Sequence, residues 1–213
     1  NIPYRIYAGI SFYGRKEIKN VLAYLRVAIN PNDDESFKRS VSKPSRGIGD
    51  TTMDALGAFA SERQIPLMQA VCSPDIVTAL KAAAVAKLRA FADMILRFSS
   101  EKDTRDAFRL ADEIALESGV RMLYKNDTSV EGQARYANVE ELCNSVQLYI
   151  EQTQAQAIED EQQEPLVTLP MYLENVALLS AVDIGQDEDS SNKVALMTVH
   201  SAKGLEYPYV FVA

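Results

Sequence analysis

The sequence is poor in the residues that build most catalytic and metal sites. It has one histidine, His200, and two cysteines, Cys72 and Cys143, among 213 residues. The cysteines lie far apart, without Cys-x-x-Cys spacing and without a neighbouring histidine. We therefore expect two buried free thiols of a cytosolic protein rather than a disulfide. No second histidine is present to complete a metal site with His200, so we expect no metal site.

Long apolar runs are also missing. No stretch approaches the roughly 18 apolar residues that a membrane span requires. The N-terminus has no basic start followed by an apolar stretch and a small-residue cleavage site. We therefore expect a soluble, cytoplasmic chain without a membrane partner. Hydrophobic residues still make up 47% of the sequence, which is enough for one large domain or two small ones with substantial cores.

Basic residues are absent from one long stretch of the chain. Residues 151–192 carry ten acidic side chains and no Lys or Arg, whereas residues 1–50 carry nine basic side chains against five acidic ones. The formal net charge of −8 therefore conceals a basic N-terminal region. Because each neutralised phosphate is a local contact, binding to nucleic acid needs a basic face rather than a basic total. The charge distribution keeps DNA open as a partner.

Two periodicities of apolar residues divide the chain. Alternation in residues 2–9 predicts a short strand, and the apolar runs VALMTV and YVFVA near the C-terminus predict two buried strands. Spacings of three and four residues predict helices between them. The predicted helical segments are 11–30, 73–98, 104–118, 132–153 and 171–182, and a further helix is capped by Asp33 or Asp34. The Gln- and acid-rich residues 151–165 are expected to form a fraying helix end and a solvated loop.

This order of elements predicts that one domain is inserted between two pieces of another. A strand and helix at 1–30 and two strands at 191–213 flank an all-helical block at 31–190. The two ends of an inserted domain normally lie close together, which suits this arrangement.

The stretch KPSRGIGDTTMDAL, residues 43–56, is the first candidate site. Its two glycines permit positive φ and close approach of a ligand to the main chain, and Asp50 or Thr51 is placed to cap the following helix. A helix start offers unpaired N–H groups and the positive end of the helix dipole, which suits a phosphate. The candidate residues are Lys43, Arg46, Gly47, Ile48, Gly49, Thr51 and Thr52. A tight turn into a capped helix explains the same pattern without a ligand. The nucleotide loop Gly-x-x-x-x-Gly-Lys-Ser/Thr is absent from the whole sequence.

The stretch TVHSAKGLEYP is the second candidate site. A strand that ends in Thr198 and His200 places polar side chains at the carboxyl edge of a sheet, where ligand crevices form in open α/β folds. Lys203 and Glu206 follow on the returning loop and add one cation and one anion. A lone histidine in a loop is also common as a purely structural residue, and no nucleophile elbow or triad is visible. The residues alone predict a polar ligand edge of a sheet.

Several stretches resemble the superfamily 1A DNA helicases, the UvrD/PcrA/Rep group. LMTVHSAKGLEYP resembles motif V of that group, with Tyr207 where phenylalanine is common. The first forty residues are similar to the strand and helix that precede its second inserted subdomain, called 2B. SKPSRGIGDTTMDAL resembles the Gly-Ile-Gly hairpin and helix of 2B, and RYANVEELCNSV resembles a later 2B helix. The matches lie at both ends and inside the chain.

The resemblance implies a fold and a set of residue roles. The fold would be mainly α, with an all-helical 2B-type subdomain at 31–190 inserted between short α/β strips, 1–30 and 191–213, of a RecA-like (P-loop NTPase) domain called 2A. Thr198, His200 and Lys203 would touch the backbone of single-stranded DNA, and Glu206 would approach the sugar of the nucleotide. The Gly-Ile-Gly turn with Lys43, Arg46, Thr51 and Thr52 would meet the phosphates of duplex DNA.

The resemblance also implies a function for the parent protein. It would be a 3′-to-5′ ATP-dependent DNA helicase of DNA repair or replication that uses ATP and Mg²⁺. This chain has no Walker A loop, no Asp-Glu-x-x-Asp metal site and no motif VI, on which phosphoryl transfer relies. We therefore expect a fragment that binds no ATP productively and unwinds nothing alone. Its 2B part would swing about hinges at 30/31 and 186–193.

Two further functions remain open from the sequence. The helical block could be a protein-interaction module that docks a repair or transcription partner, such as RNA polymerase, through the acidic residues 151–190. A merely solvated acidic face would look the same. The chain could also belong to a helicase-nuclease that shares motif V.

Overall fold

The computed structural model of the protein describes residues 4–7, 12–160, 162–185, 194–197, 206 and 208–211. Within them the chain is mainly helical, as the sequence predicted. The elements are β1 (Tyr4–Tyr7), α1 (Lys16–Ile29), α2 (Asp34–Ser42), α3 (Asp50–Arg63), α4 (Leu67–Cys72), α5 (Ala82–Glu101), α6 (Ala107–Glu117), α7 (Val120–Lys125), α8 (Val130–Glu159), α9 (Leu169–Gly185) and β2 (Val194–Met197), with short 3-10 turns at Phe12–Gly14 and Pro74–Thr78.

The two strands come from opposite ends of the chain and pair with each other. β1 and β2 are parallel, with Tyr4 opposite Val194 and Tyr7 opposite Met197. A parallel pair requires a crossover connection, and here all nine described helices lie within that crossover. A third strand was predicted for YVFVA, but the described residues 208–211 are not part of a strand. Apolar composition favours a strand there, but an isolated run does not supply the partner whose main chain it would pair with.

Helix α1 forms the centre of the helical body. Its side chains from Ile18 to Ala28 are almost completely buried, apart from Lys19 and Arg26, and it packs against α2, α5, α6, α7, α8 and α9. The sequence placed this helix in the N-terminal strip and a hinge at 30/31. This boundary and the hinge stay predictions; in the structure, hydrogen bonds close the turn after α1, from Asn30 N to Arg26 O (2.8 Å) and from Asp33 N to Asn30 O (3.0 Å). The apolar period predicted that α1 has a buried face, but it carried no information about which body covers that face.

Aromatic side chains connect α1 with its neighbours α2 and α5. Phe91 of α5 meets Phe37 of α2 edge to face, with ring centroids 5.4 Å apart, and lies 6.3 Å from the ring of Tyr24. The predicted inward stripe of α5 is confirmed from Leu88 to Phe98. The helix itself begins later than predicted, at Ala82, because the Ser-Pro start at Ser73 forms a separate 3-10 turn.

Helix α8 is longer than predicted. It runs to Glu159 through most of the stretch that was interpreted as a fraying end and loop. Gln, Glu and Ala are strong helix formers, so their polarity marks an exposed helix face here rather than a loop. The chain then returns beside α8, where Gln154 Nε2 donates to Pro165 O (3.5 Å) and Ala107 N donates to Val167 O (2.9 Å).

The two cysteines differ in their surroundings. Cys143 is buried in α8, and this burial raises the pKa of its thiol to about 11. Cys72 is exposed at the end of α4, so the prediction of two buried thiols is wrong for this residue. Helix α4 ends at Cys72, beyond the part of the helix that the core covers. None of the helices in the described ranges is both long and apolar enough to cross a membrane.

Candidate nucleic-acid interface

The Gly-Ile-Gly turn lies on the surface between α2 and α3. Gly47 and Gly49 are exposed, while Ile48 is half-buried and packs against the core. Gly47 has φ +64°, a conformation that favours glycine. Gly49 occupies the N-cap position of α3, which the sequence had assigned to Asp50 or Thr51. The turn is therefore reachable from solvent, and a Cβ added at Gly49 would have no atom within 4 Å.

The start of α3 leaves a run of main-chain N–H groups without partners. The first bonded amides are Thr52 N and Met53 N, which both donate to Gly49 O, at 3.0 and 3.1 Å. Among the described residues, the N–H groups from Gly47 to Thr51 have no hydrogen-bond acceptor, and no side chain caps the helix. Successive free amides at the positive end of a helix form a concave anion site.

Arg46 holds this turn against the helical body. Its Nη1 donates to Pro44 O (2.9 Å) and Ser40 O (3.2 Å), and its Nη2 donates to Ser118 O (2.8 Å). The guanidinium also lies over two rings, 5.4 Å from the centroid of Tyr24 and 5.2 Å from that of Phe91. The sequence placed Arg46 among the phosphate contacts, but the structure directs its side chain toward the protein.

Tyr24 adds a second anchor to the same segment. Its hydroxyl lies 2.6 Å from Ser40 O and 2.7 Å from Lys43 O and shares one hydrogen between them. Burial raises the pKa of this phenol well above its usual range, with Arg46 opposing the shift in part. The hydroxyl therefore stays protonated and remains a donor at any physiological pH.

The other predicted contacts from this stretch lie around the turn. Lys43 and Thr51 are exposed and Thr52 is half-buried. Lys43 lines a groove with Lys16 of α1 and Arg135 of α8. Two basic residues that the sequence did not connect with Lys43 thus lie near it.

Lys87 is the residue that sequence reasoning missed. It is an exposed side chain of α5, and its Nζ donates to Gly47 O at 3.1 Å. A Cβ added at Gly47 would lie 2.7 Å from that nitrogen. Nothing in the local pattern signals the contact, because it depends on how α5 packs beside the α2–α3 turn. The only available hint was that Lys87 precedes the inward residue Leu88 and must therefore face outward.

The residues of the second candidate site are described only in part. Thr198, His200 and Lys203 lie outside the described residues, as does the predicted hinge at 186–193. Glu206 is exposed and makes no hydrogen bond or ion pair with another described residue. One exposed carboxylate does not provide the ligands that Mg²⁺–ATP requires. The described residues also contain no group of three His, Cys, Asp or Glu side chains that could hold a metal ion.

Comparison with known proteins identifies relatives along the whole chain. Residues 1–213 match the family model described as UvrD-like helicase C-terminal domain. "DNA helicase II" of Escherichia coli (strain K12) is 37% identical over 212 residues, which cover 100% of this chain and 28% of that protein. "ATP-dependent DNA helicase PcrA" of Bacillus subtilis (strain 168) is 35% identical over 215 residues, which cover 99% of this chain and 28% of that protein.

The chain therefore spans only 28% of the length of these curated relatives. The family model nevertheless covers the chain from its first to its last residue. The chain belongs to the UvrD-like helicase C-terminal domain family of superfamily 1A helicases.

Proposed function

We propose that this chain is the duplex-engaging part of a 3′-to-5′ ATP-dependent DNA helicase of repair or replication, and that its helical body is the 2B subdomain. The observation that carries the proposal is the exposed run of unpaired amides from Gly47 to Thr51, with a lysine beside it. The names of the relatives, DNA helicase II and ATP-dependent DNA helicase PcrA, support the helicase assignment of the parent protein.

Main-chain amides suit a helicase because they do not read sequence. Contacts from N–H groups and helix starts to phosphates position a protein on DNA without touching base edges. A motor that unwinds DNA of any sequence needs this kind of grip on the duplex ahead of it. Lys43 and Thr51 would assist at the same phosphates, and Thr52 would lie at the edge of the site.

The packing also supports a revised domain boundary. Because α1 lies in the centre of the helical body, we place 2B between β1 and β2 and leave β1 and the residues from β2 onward in the 2A strips. A body that leaves and re-enters the sheet through adjacent strands can move as one unit. The remaining roles stay as proposals: Thr198, His200 and Lys203 on single-stranded DNA, Glu206 near the nucleotide sugar, and ATP with Mg²⁺ bound by the whole protein.

The test compares two identical substitutions in one helix. A Cβ added at Gly49 or at Gly57 would meet no atom within 4 Å, so both Gly49→Val and Gly57→Val should fold. Only Gly49→Val places methyl groups in front of the free amides. We expect fluorescence anisotropy with a labelled blunt DNA duplex to show weak, strongly salt-dependent binding by the 213-residue chain, retained in Gly57→Val and lost in Gly49→Val. Equal binding by the two variants, or no duplex binding at low salt, would refute the proposal.

One observation favours a second candidate function, the docking of a protein partner. Exposed apolar side chains accompany the acids along α8 and the segment after it, with Leu148 52%, Ile158 59% and Leu166 52% exposed. An acidic surface with apolar side chains suits a basic, partly apolar partner. Affinity capture from nuclease-treated lysate tests it, because contacts through DNA disappear there. Loss of the captured protein in Ile158→Glu would support a docking surface, and capture that vanishes with nuclease alone would refute it.

A further inference from the structure

We propose that Lys87, rather than Arg46, is the cation that this helical body supplies to the duplex phosphate at the Gly-Ile-Gly turn, and that Arg46 is a positioning residue for that turn. The inference rests on the proposed function. It assigns different tasks to Arg46, which lies in the α2–α3 segment, and Lys87, which reaches that segment from α5. Both would otherwise be counted together as basic DNA contacts.

Lys87 has the exposure and the free donors that a phosphate contact needs. Its ammonium reaches the turn from α5 and uses one of three N–H donors on Gly47 O. The remaining donors face solvent, since Lys87 makes no other hydrogen bond or ion pair with a described residue. The same contact offsets the partial negative charge on the carbonyl oxygen of Gly47, which would otherwise repel an approaching phosphate. The lysine therefore lies at the first residue of the free amide run.

Arg46 is half-buried, and three of its five N–H donors are already engaged. Three of its N–H bonds go to carbonyl oxygens of Ser40, Pro44 and Ser118, which lie on different parts of the body. The faces of its planar group lie against the rings of Tyr24 and Phe91. A guanidinium used in this way stabilises a chain conformation through its fork geometry, and a lysine cannot replace it. These contacts direct the guanidinium to the protein rather than to a phosphate.

The two roles predict different changes in the salt dependence of duplex binding. Each phosphate neutralised by a cation contributes about 0.9 to the slope of log K against log salt for duplex DNA. Removing a phosphate contact lowers that slope, whereas removing a positioning residue weakens binding and leaves the slope of the remaining contacts unchanged. The slope therefore separates the roles even when both variants bind less tightly.

The first experiment measures duplex binding of Lys87→Ala by anisotropy over a series of NaCl concentrations. We expect the slope to fall by about 0.9 and affinity to fall about two- to fivefold, with Tm unchanged. Lys87→Arg should retain most of the salt slope and most of the duplex affinity. The matched control is Lys102→Ala, which removes the same charge about 22 Å further along α5, where Lys102 pairs with Asp103. Equal slopes for Lys87→Ala and the control would overturn the assignment of Lys87.

The second experiment uses Arg46→Lys, which keeps the charge and removes the fork. We expect Tm to fall by about 4–8 °C and duplex affinity to fall at least as much as in Lys87→Ala, with the wild-type slope. A variant with the wild-type Tm and near-normal binding would overturn the positioning role. If the wild-type chain does not bind duplex, the proposed function fails. If it binds and loses binding in Gly49→Val while Lys87→Ala behaves as its control, only this inference fails.

Discussion

Two of the longer helices of this protein begin in opposite ways. At the start of α8 side chains cap the helix: Ser129 Oγ accepts from Gly132 N (3.0 Å), and Asp127 Oδ1 accepts from Ser129 N (3.1 Å) and Ser129 Oγ (2.6 Å). At the start of α3 a glycine stands at the N-cap and the first amides stay open. Capping a helix start stabilises a protein by about 1 kcal/mol. Leaving α3 uncapped forgoes that stability and leaves its first amides without acceptors.

Substituting the glycines at the two helix starts should give the largest difference in the free energy of unfolding. A Cβ at Gly132 would lie 2.2 Å from Asp127 Cγ and 2.4 Å from Asp127 O, so the loop must move. We expect Gly132→Ala to lower the free energy of unfolding by about 2–3 kcal/mol, measured by urea denaturation followed by circular dichroism. Gly49→Ala, where the space is open, should change it by less than about 1 kcal/mol. Similar losses in the two variants would remove the contrast.

Capping the start of α3 with a side chain should give the next largest effect. Gly49 has φ −90° and ψ 171°, the extended conformation that an N-cap side chain requires. We expect Gly49→Asp to hold or slightly raise stability and to weaken duplex binding more than tenfold, because the carboxylate occupies the amides and repels phosphate. Gly49→Asn caps without charge and should weaken binding less. Duplex affinity that survives Gly49→Asp would show that the amides are not the contact.

Opening the start of α8 should have a smaller effect. Ser129→Ala removes the acceptor for Gly132 N and should lower the free energy of unfolding by about 1 kcal/mol, read from urea denaturation. Duplex binding should stay unchanged, since the carboxylate of Asp127 remains beside the freed amide and repels phosphate. Ser129→Thr, which keeps the hydroxyl, should restore most of the loss. A gain of duplex affinity in Ser129→Ala would mean that any open helix start is sufficient.

The smallest expected difference between the two helix starts is the response of their amide hydrogen exchange to acid. Hydrogen bonds from the Ser129 side chain and main chain hold the pKa of Asp127 below its usual range. A depressed folded-state pKa means that the stabilisation is present above the unfolded-state pKa, about 3.9, and is lost as pH falls through the lower folded-state value. Hydrogen exchange of Gly132 N–H should therefore accelerate in acid beyond the intrinsic rate, and Asp127→Asn should remove this dependence. The amide of Thr52 should show no such change.

The sequence predicted the kind of elements better than their assembly. Helical periodicity identified α1 and the stripe of α5, and the resemblance directed attention to Gly47 and Gly49. Local patterns could not predict that α1 lies inside the helical body, because an apolar face is compatible with any apolar neighbour. They also could not predict the inward orientation of Arg46, which depends on Ser118, far along the chain. Lys87 was missed for the same reason, since its contact with Gly47 exists only after α5 is packed.

Another difference concerns residues whose composition misled the interpretation. Residues 151–165 suggested a fraying helix end and a solvated loop, yet the chain up to Glu159 continues α8, because Gln and Glu form helices well when one face is exposed. The apolar residues Tyr209–Phe211 suggested a strand, yet they are exposed and unpaired in the described chain. A strand is defined by its partner, so a single segment predicts a strand less securely than it predicts a helix.

The parallel register of β1 with β2 has a consequence for how the molecule folds. Joining two strands that are separated by nearly the whole chain is slow when the chain between them is unfolded, since that loop must first be closed. Contact between α1 and α9 brings the ends of the intervening chain together once the helices have assembled. The sheet should therefore form late, and its formation should report that the helices have already assembled.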